Sequence, residues 1–340
     1  MDRSHGHPDA SGIKRDPAKL LGSAVARSTQ TLGWFSMIPA KTTKHKLTTL
    51  TLLVALVLGC LMEAASAQTR PVRVPIELAG STVLVPGRVN GSGALWFILD
   101  TGANSCVLDH KVADELRLKP ESEIQGTGAG RGPVPFRSYP KKDVTFSIAG
   151  RPVQCEHVLS VDLSNQPRII GRRVDGILGS DFISQFVAEV DYERRQLGLY
   201  DPERFHYRGR GEVLPLTFER RLPYVEAEIT VSGQPPTSRK LLVDSGSQDS
   251  VDDDLLLKTS GNLRKVTGGV GLGQTYEVSL GQLALFRLGR FGFKEVPSVA
   301  PGVALIGSEI LRRFRVYYDY KRQRMILEPN RHLDDPFPAQ

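Results

Sequence analysis

The sequence predicts an all-β protein built as two duplicated lobes with a few short helices. Three observations carry that expectation. Most segments are short runs rich in Val, Ile, Leu, Phe and Tyr, interrupted by Gly, Pro and Asn, the chemistry of strands and turns. A set of landmarks occurs twice, in the same order and at closely matched spacing. A length of 340 residues with 40% hydrophobic content also suffices for two domains with ordinary cores.

The first landmark is an apolar run that stops at Asp-Thr/Ser-Gly. Trp96-Phe97-Ile98-Leu99-Asp100-Thr101-Gly102 has its counterpart in Leu241-Leu242-Val243-Asp244-Ser245-Gly246. Each is preceded by a valine and a turn signal, Val89-Asn90-Gly91 and Val231-Ser232-Gly233, which predicts a hairpin leading into the Asp-bearing strand. Glycine-rich segments follow at similar offsets, Gly126-Thr127-Gly128-Ala129-Gly130 in one case and Gly268-Gly269-Val270-Gly271 in the other. Next, Ile177-Leu178-Gly179 matches Leu305-Ile306-Gly307. Phe186 and Phe314 each lie seven residues past that glycine, and Asp191-Tyr192 and Asp319-Tyr320 each begin twelve past it. Closing strands are expected at 196–200 and 324–328. Chance does not supply such a series, so the chain reads as a duplication.

The first lobe is expected over residues 71–208 and the second over 211–329. Arg208-Gly209-Arg210-Gly211 reads as the linker. Residues 330–340 read as a loose tail, and short helices are expected at 111–118, 181–186, 252–258 and 308–313.

Residues 1–67 read as a leader. Lys41, Lys44 and Lys46 precede an apolar run over 47–62, which ends at Ala65-Ser66-Ala67. That order is a secretory signal, with cleavage before Gln68 and export to the periplasm or the medium. A membrane anchor is the rival reading, but the run falls short of the roughly 20 apolar residues a spanning helix needs. Met37 competes with Met1 as the start, and Cys60 sits in a weak lipidation box that would tether the chain to a membrane. Beyond the leader two cysteines remain, Cys106 and Cys155. An oxidising compartment permits a disulfide, while two buried thiols are the slightly favoured alternative.

With these motifs in place, the sequence resembles the pepsin and retropepsin aspartic proteases, nearest in appearance to bacterial secreted two-lobed retropepsin-like proteins. The resemblance spans roughly residues 80–330. It implies two acid-protease β-barrel lobes whose Asp100 and Asp244 form a catalytic pair, with Thr101, Gly102, Ser245 and Gly246 supporting it. Two carboxylates held close cannot both ionise cheaply, so one proton is shared. The ionised member then activates a water and the protonated one polarises the peptide carbonyl. Gly126, Gly128, Gly130, Gly269 and Gly271 read as flaps that close over an extended peptide, with ordinary turns as the alternative. Ala304 stands where the first lobe has Gly176, so the second lobe departs further from the family pattern.

Other chemistries find little support. The net charge of +7 is concentrated in the leader, with no basic stripe interleaved with aromatics, so nucleic acid is not an expected partner. His110, His157, His206 and His332 lack zinc-ligand spacing, and Asp249, Asp252, Asp253 and Asp254 are poorly spaced for calcium. Neither a metal nor a cofactor is expected, only a peptide or protein substrate. No Gly-x-Ser-x-Gly elbow appears. Two alternatives stay open: lobes that pair between chains instead of within a monomer, and an inactive peptide-binding or scaffold module on the same fold.

Overall fold

Strands dominate, and three sheets arrange them. The computed structural model describes residues 71–268 and 271–338. The leader at 1–67, with Cys60 and both candidate starts, lies outside the described residues, as does Gly269. A ten-stranded sheet gathers strands between Glu77 and Leu178, and an eight-stranded sheet gathers those between Thr217 and Ile306. Among the described residues no helix is long and apolar enough to cross a membrane.

The third sheet joins the halves. Its six strands run in the order Val72–Pro75, Gln196–Tyr200, Val187–Asp191, Phe314–Asp319, Arg324–Pro329 and Glu212–Pro215. The seam is the antiparallel pair Val187–Asp191 and Phe314–Asp319, with Val190 opposite Val316. Both strands are almost wholly buried, so their charged residues need partners. Arg315 lies 3.0 Å from Asp191 and 3.6 Å from Glu189, and Arg324 lies 2.9 Å from Asp319. Asp191 and Asp319 also cap the turns that follow, accepting from the N–H groups of Arg194 and Arg322. These acids are structural, as their place at the strand ends suggests.

Each Asp-bearing strand is central in its sheet. Leu95–Leu99 pairs antiparallel with Thr82–Val89 and parallel with Gly176–Leu178. Thr237–Val243 pairs antiparallel with Leu222–Thr230 and parallel with Leu305–Ile306. Strands covered on both faces need continuous apolar runs, which is why Phe97, Leu99, Leu241 and Val243 are all fully buried. A ring such as Phe97, packed edge-on to Phe146 at 5.7 Å, contributes about 2–3 kcal/mol through burial. The hairpin turns form where expected: Asn90 and Gly91 both take positive φ, 48° and 76°, and Ser92 N–H closes the turn on Val89.

Some local expectations need correcting. Residues 254–258 form a 3-10 turn, because Asp252 joins strand Val251–Asp252 and Asp253 caps Leu255. An additional helix, Gln166–Ile170, was not expected; Pro167 sits near its start and Gly171 follows its end at φ 77°. Residues 330–338 are not loose. Arg313 is 1% exposed and satisfies itself on that segment, donating to the carbonyls of Leu333 and Asp335 and stacking 4.0 Å over Phe337. Cys106 and Cys155 are joined in a disulfide, not left as two thiols. It ties strand Cys106–Asp109, just past the Asp100 turn, to the loop entering its parallel neighbour Val158–Val161.

Candidate active site

Each aspartate is set by a turn leaving a central strand. Asp100 N–H donates to Leu178 O at 3.0 Å, and Asp244 N–H donates to Ile306 O at 2.9 Å. The apolar-apolar-Gly elements are therefore the strands that carry the two Asp turns from beside. Their glycines are there for space. A Cβ on Gly179 would lie 2.4 Å from Ser105 O, and one on Gly307 would lie 2.1 Å from Asp249 O. Gly176 is equally constrained, with Val107 O at 2.3 Å. Ala304, its counterpart, sits just outside the shorter strand Leu305–Ile306, where its carbonyl accepts from Leu242 N–H.

The two turns meet face to face. A Cβ on Gly102 would lie 2.6 Å from the carboxyl carbon of Asp244, and one on Gly246 would lie 2.5 Å from that of Asp100. Neither glycine has positive φ, so close approach rather than backbone freedom demands glycine here. Beneath them, Thr101 and Ser245 are fully buried and bond reciprocally. Each backbone N–H donates to the other residue's hydroxyl, while Thr101 Oγ1 donates to Val243 O and Ser245 Oγ to Leu99 O.

Asp100 and Asp244 are each partly exposed as residues, while their carboxyls are packed against the opposite turn. Burial pushes both pKa values up, and the charge of Asp244 pushes Asp100 further. The two are not equivalent. Asp244 accepts N–H bonds from Gly246 at 2.9 Å and Ser247 at 3.1 Å, which favour its charged form, and a hydrogen bond from Asp100 lowers it again. Asp100 accepts from Gly102 at 2.8 Å. Burial and mutual repulsion oppose ionisation of both, so the pair shares one proton. Such a pair can deprotonate a water with one member while the other donates to a carbonyl oxygen.

The described glycines of both segments lie at or beside hairpin tips. The first hairpin pairs Ser122–Gly126 with Val134–Tyr139, and the second pairs Arg264–Gly268 with Tyr276–Leu288. Gly126 lies in its strand, where a Cβ would strike the Phe136 ring at 2.7 Å. Gly130 supplies φ 104° at the bend. The tips touch: a Cβ on Gly128 would meet Leu272 and one on Gly271 would meet Ala129. Arg131 and Gln274 exchange two backbone hydrogen bonds at 2.8 Å, and Gly273 N–H donates to Ala129 O. The Arg131 guanidinium stacks 4.4 Å over Tyr276, whose hydroxyl donates to Pro301 O. Leu272 packs against a first-lobe apolar cluster that includes Ile98, Phe136 and Ile177.

Sequence reasoning did not find several residues that shape this site. Leu272, Gln274 and Tyr276 carried only a weak signal, their closeness to a glycine run. Ser81, Gln248 and Arg221 act across lobes and carried no signal at all. Ser81 Oγ lies 2.7 Å from Ser308 Oγ, while the Arg221 guanidinium donates to Asp181. The acidic run diverges: Asp253 pairs with Arg239, Asp252 accepts from Val299 N–H, and Asp254 accepts from Gly302 N–H.

Two carboxyls converging from matched turns make this an aspartic-protease-like site. Residues 85–182 match the family model of the aspartyl proteases, a stretch that holds Asp100, the first hairpin tip and Gly179. No curated protein is similar enough to the chain to count as a match.

Proposed function

We propose that the chain is an aspartic-type endopeptidase, made of two duplicated retropepsin-like lobes and acting as a monomer. The reading rests above all on one observation: each carboxyl lies against the glycine of the opposite turn, so Asp100 and Asp244 form one dyad. An extended peptide lies between the dyad and the joined flaps, held by main-chain hydrogen bonds. Asp244, ionised, takes a proton from a water as it attacks the scissile carbonyl. Asp100 donates its proton to the carbonyl oxygen, and the tetrahedral species collapses as the leaving nitrogen is protonated. Water is the nucleophile, so no acyl-enzyme forms. Thr101 and Ser245 keep the carboxyls in register without touching substrate.

The apolar run at 47–62 and its Ala65-Ser66-Ala67 end support export from the cytoplasm, with Cys60 as an alternative lipid anchor. The disulfide is consistent with an oxidising destination.

Digestion of a diverse peptide mixture, mapped by mass spectrometry in water enriched with oxygen-18, tests the activity. Internal cleavage with label in the new carboxyl is expected, together with product formation that shows no acyl burst. A protein that leaves every peptide intact at acid and neutral pH contradicts the reading.

A further inference from the structure

The two cross-lobe turns differ in charge: one, Gly80-Ser81, is small and neutral and its counterpart, Arg220-Arg221, carries two arginines. The first turn, Gly80-Ser81, joins Glu77–Ala79 to Thr82–Val89 and reaches the second lobe. Gly80 faces Gln248, and Ser81 meets Ser308. Ser308 Oγ donates to Ser247 O, and Ser247 N–H donates to Asp244. This turn is thus one short hydrogen-bonded chain from the dyad.

The counterpart turn, Arg220-Arg221, joins Thr217–Glu219 to Leu222–Thr230 and reaches the first lobe. Arg221 donates to Asp181 and approaches His157 Nδ1 at 3.3 Å. Asp181 follows Ser180, whose N–H donates to Ala103 O, and Ala103 N–H donates to Asp100 O. The second turn is therefore linked to the Asp100 turn much as the first is linked to the Asp244 turn.

Arg220 combines a left-handed backbone with an exposed charge in a cross-lobe turn. Both arginines have left-handed backbone, φ 47° and 69°, in a two-residue turn that favours glycine or asparagine. Non-glycine residues are kept in that conformation mainly where something else requires them. The buried carboxylate of Asp181 neutralises Arg221, whereas exposed Arg220 has no ion-pair partner among the described residues. Beside the first turn the charge is reversed: Gln248 is neutral and the next residue, Asp249, is an exposed carboxylate.

Building on the endopeptidase reading, we propose that Arg220 is a specificity-determining residue that selects an acidic side chain on one side of the scissile bond. Arg221 holds the turn in place, and Arg220 offers the free cation. A rim charge of this kind discriminates more by sign than by contact area.

The test starts from any peptide the wild-type chain cuts. Glu, Gln or Lys is placed in turn at each outer position on both sides of the bond, and kcat/KM is measured at low salt for wild type, Arg220→Glu and Arg220→Lys. The ratio of Glu to Gln peptide is the readout, so changes in overall activity cancel. Wild type is expected to favour Glu about fivefold on one side only, Arg220→Lys to keep that preference, and Arg220→Glu to transfer it to Lys. Equal rates for Glu and Gln, or an Arg220→Glu chain that still favours Glu, overturn the proposal. If no peptide is cut, the endopeptidase reading fails separately. Calorimetric binding to Asp100→Asn of one extended peptide series bearing Glu, Gln or Lys at the outer positions then decides the charge preference by the same ratios.

Discussion

The backbone N–H of Thr101 donates to Ser245 Oγ at 3.1 Å, and that of Ser245 donates back to Thr101 Oγ1 at 2.9 Å. Each hydroxyl also donates to a carbonyl of the opposite lobe, so all four bonds cross between lobes with no water needed. Removing one hydroxyl strands a buried N–H and a buried carbonyl together. Thr101→Ala and Ser245→Ala should each cost about 3 kcal/mol in denaturant unfolding, whereas Thr101→Ser should keep most of the stability.

Glycine at 102 and 246 is a matter of room. An alanine at either site places a methyl within 3 Å of the opposing carboxyl, which must then move. Displacement of about an ångström costs on the order of 100-fold in rate. Gly102→Ala and Gly246→Ala are therefore expected to fold, to lose kcat by about that factor, and to show the carboxyls pushed apart in a crystal structure.

Much of this was legible beforehand, and the boundary has a physical cause. Asp100, Asp244, Gly179 and Gly307 are recognisable because each motif is local: an apolar strand, a tight turn, a glycine at a close contact. Cross-lobe contacts outside the repeated motifs left no trace in the spacing. Nothing near Arg221 in sequence marks Asp181 as its partner, and nothing near Arg131 marks Gln274 and Tyr276. The docked segment after Pro329 was missed for the same reason, since its anchor, Arg313, is buried by tertiary packing. Cysteine count alone could not decide the disulfide, whereas the parallel pairing of strand Cys106–Asp109 with Val158–Val161 does bring the two residues together.

The dyad should leave a signature in the pH dependence of stability. Asp100 is held above its ordinary value of 3.8, by burial first and Asp244 second. A carboxyl raised in the folded state contributes stability that is complete below its unfolded pKa and is lost as pH rises through the folded one. Wild type should therefore lose stability relative to Asp100→Asn from about pH 4 upward, with the difference in Tm widening toward neutrality. Activity needs one proton on the pair, so kcat/KM should fall on both sides of an optimum. A gap in Tm that narrows with rising pH would contradict this assignment.

The Cys106–Cys155 bridge closes a loop with a sequence separation of 49. Chain-entropy reasoning gives it about 4 kcal/mol. Urea unfolding of Cys106→Ser with Cys155→Ser should show a loss of that order, and reductant should destabilise wild type but leave the double variant unchanged.

The central claim is that Asp100 and Asp244 of one chain form one catalytic pair, and complementation tests it most directly. Wild type, Asp100→Asn, Asp244→Asn and an equimolar mixture of the two variants are assayed on the same cleavable peptide. Wild type is expected to cut, while each variant and their mixture stay inert, because neither chain can complete the other's dyad. Recovery of activity in the mixture, or a variant that cuts at the wild-type rate, would contradict the single-chain dyad.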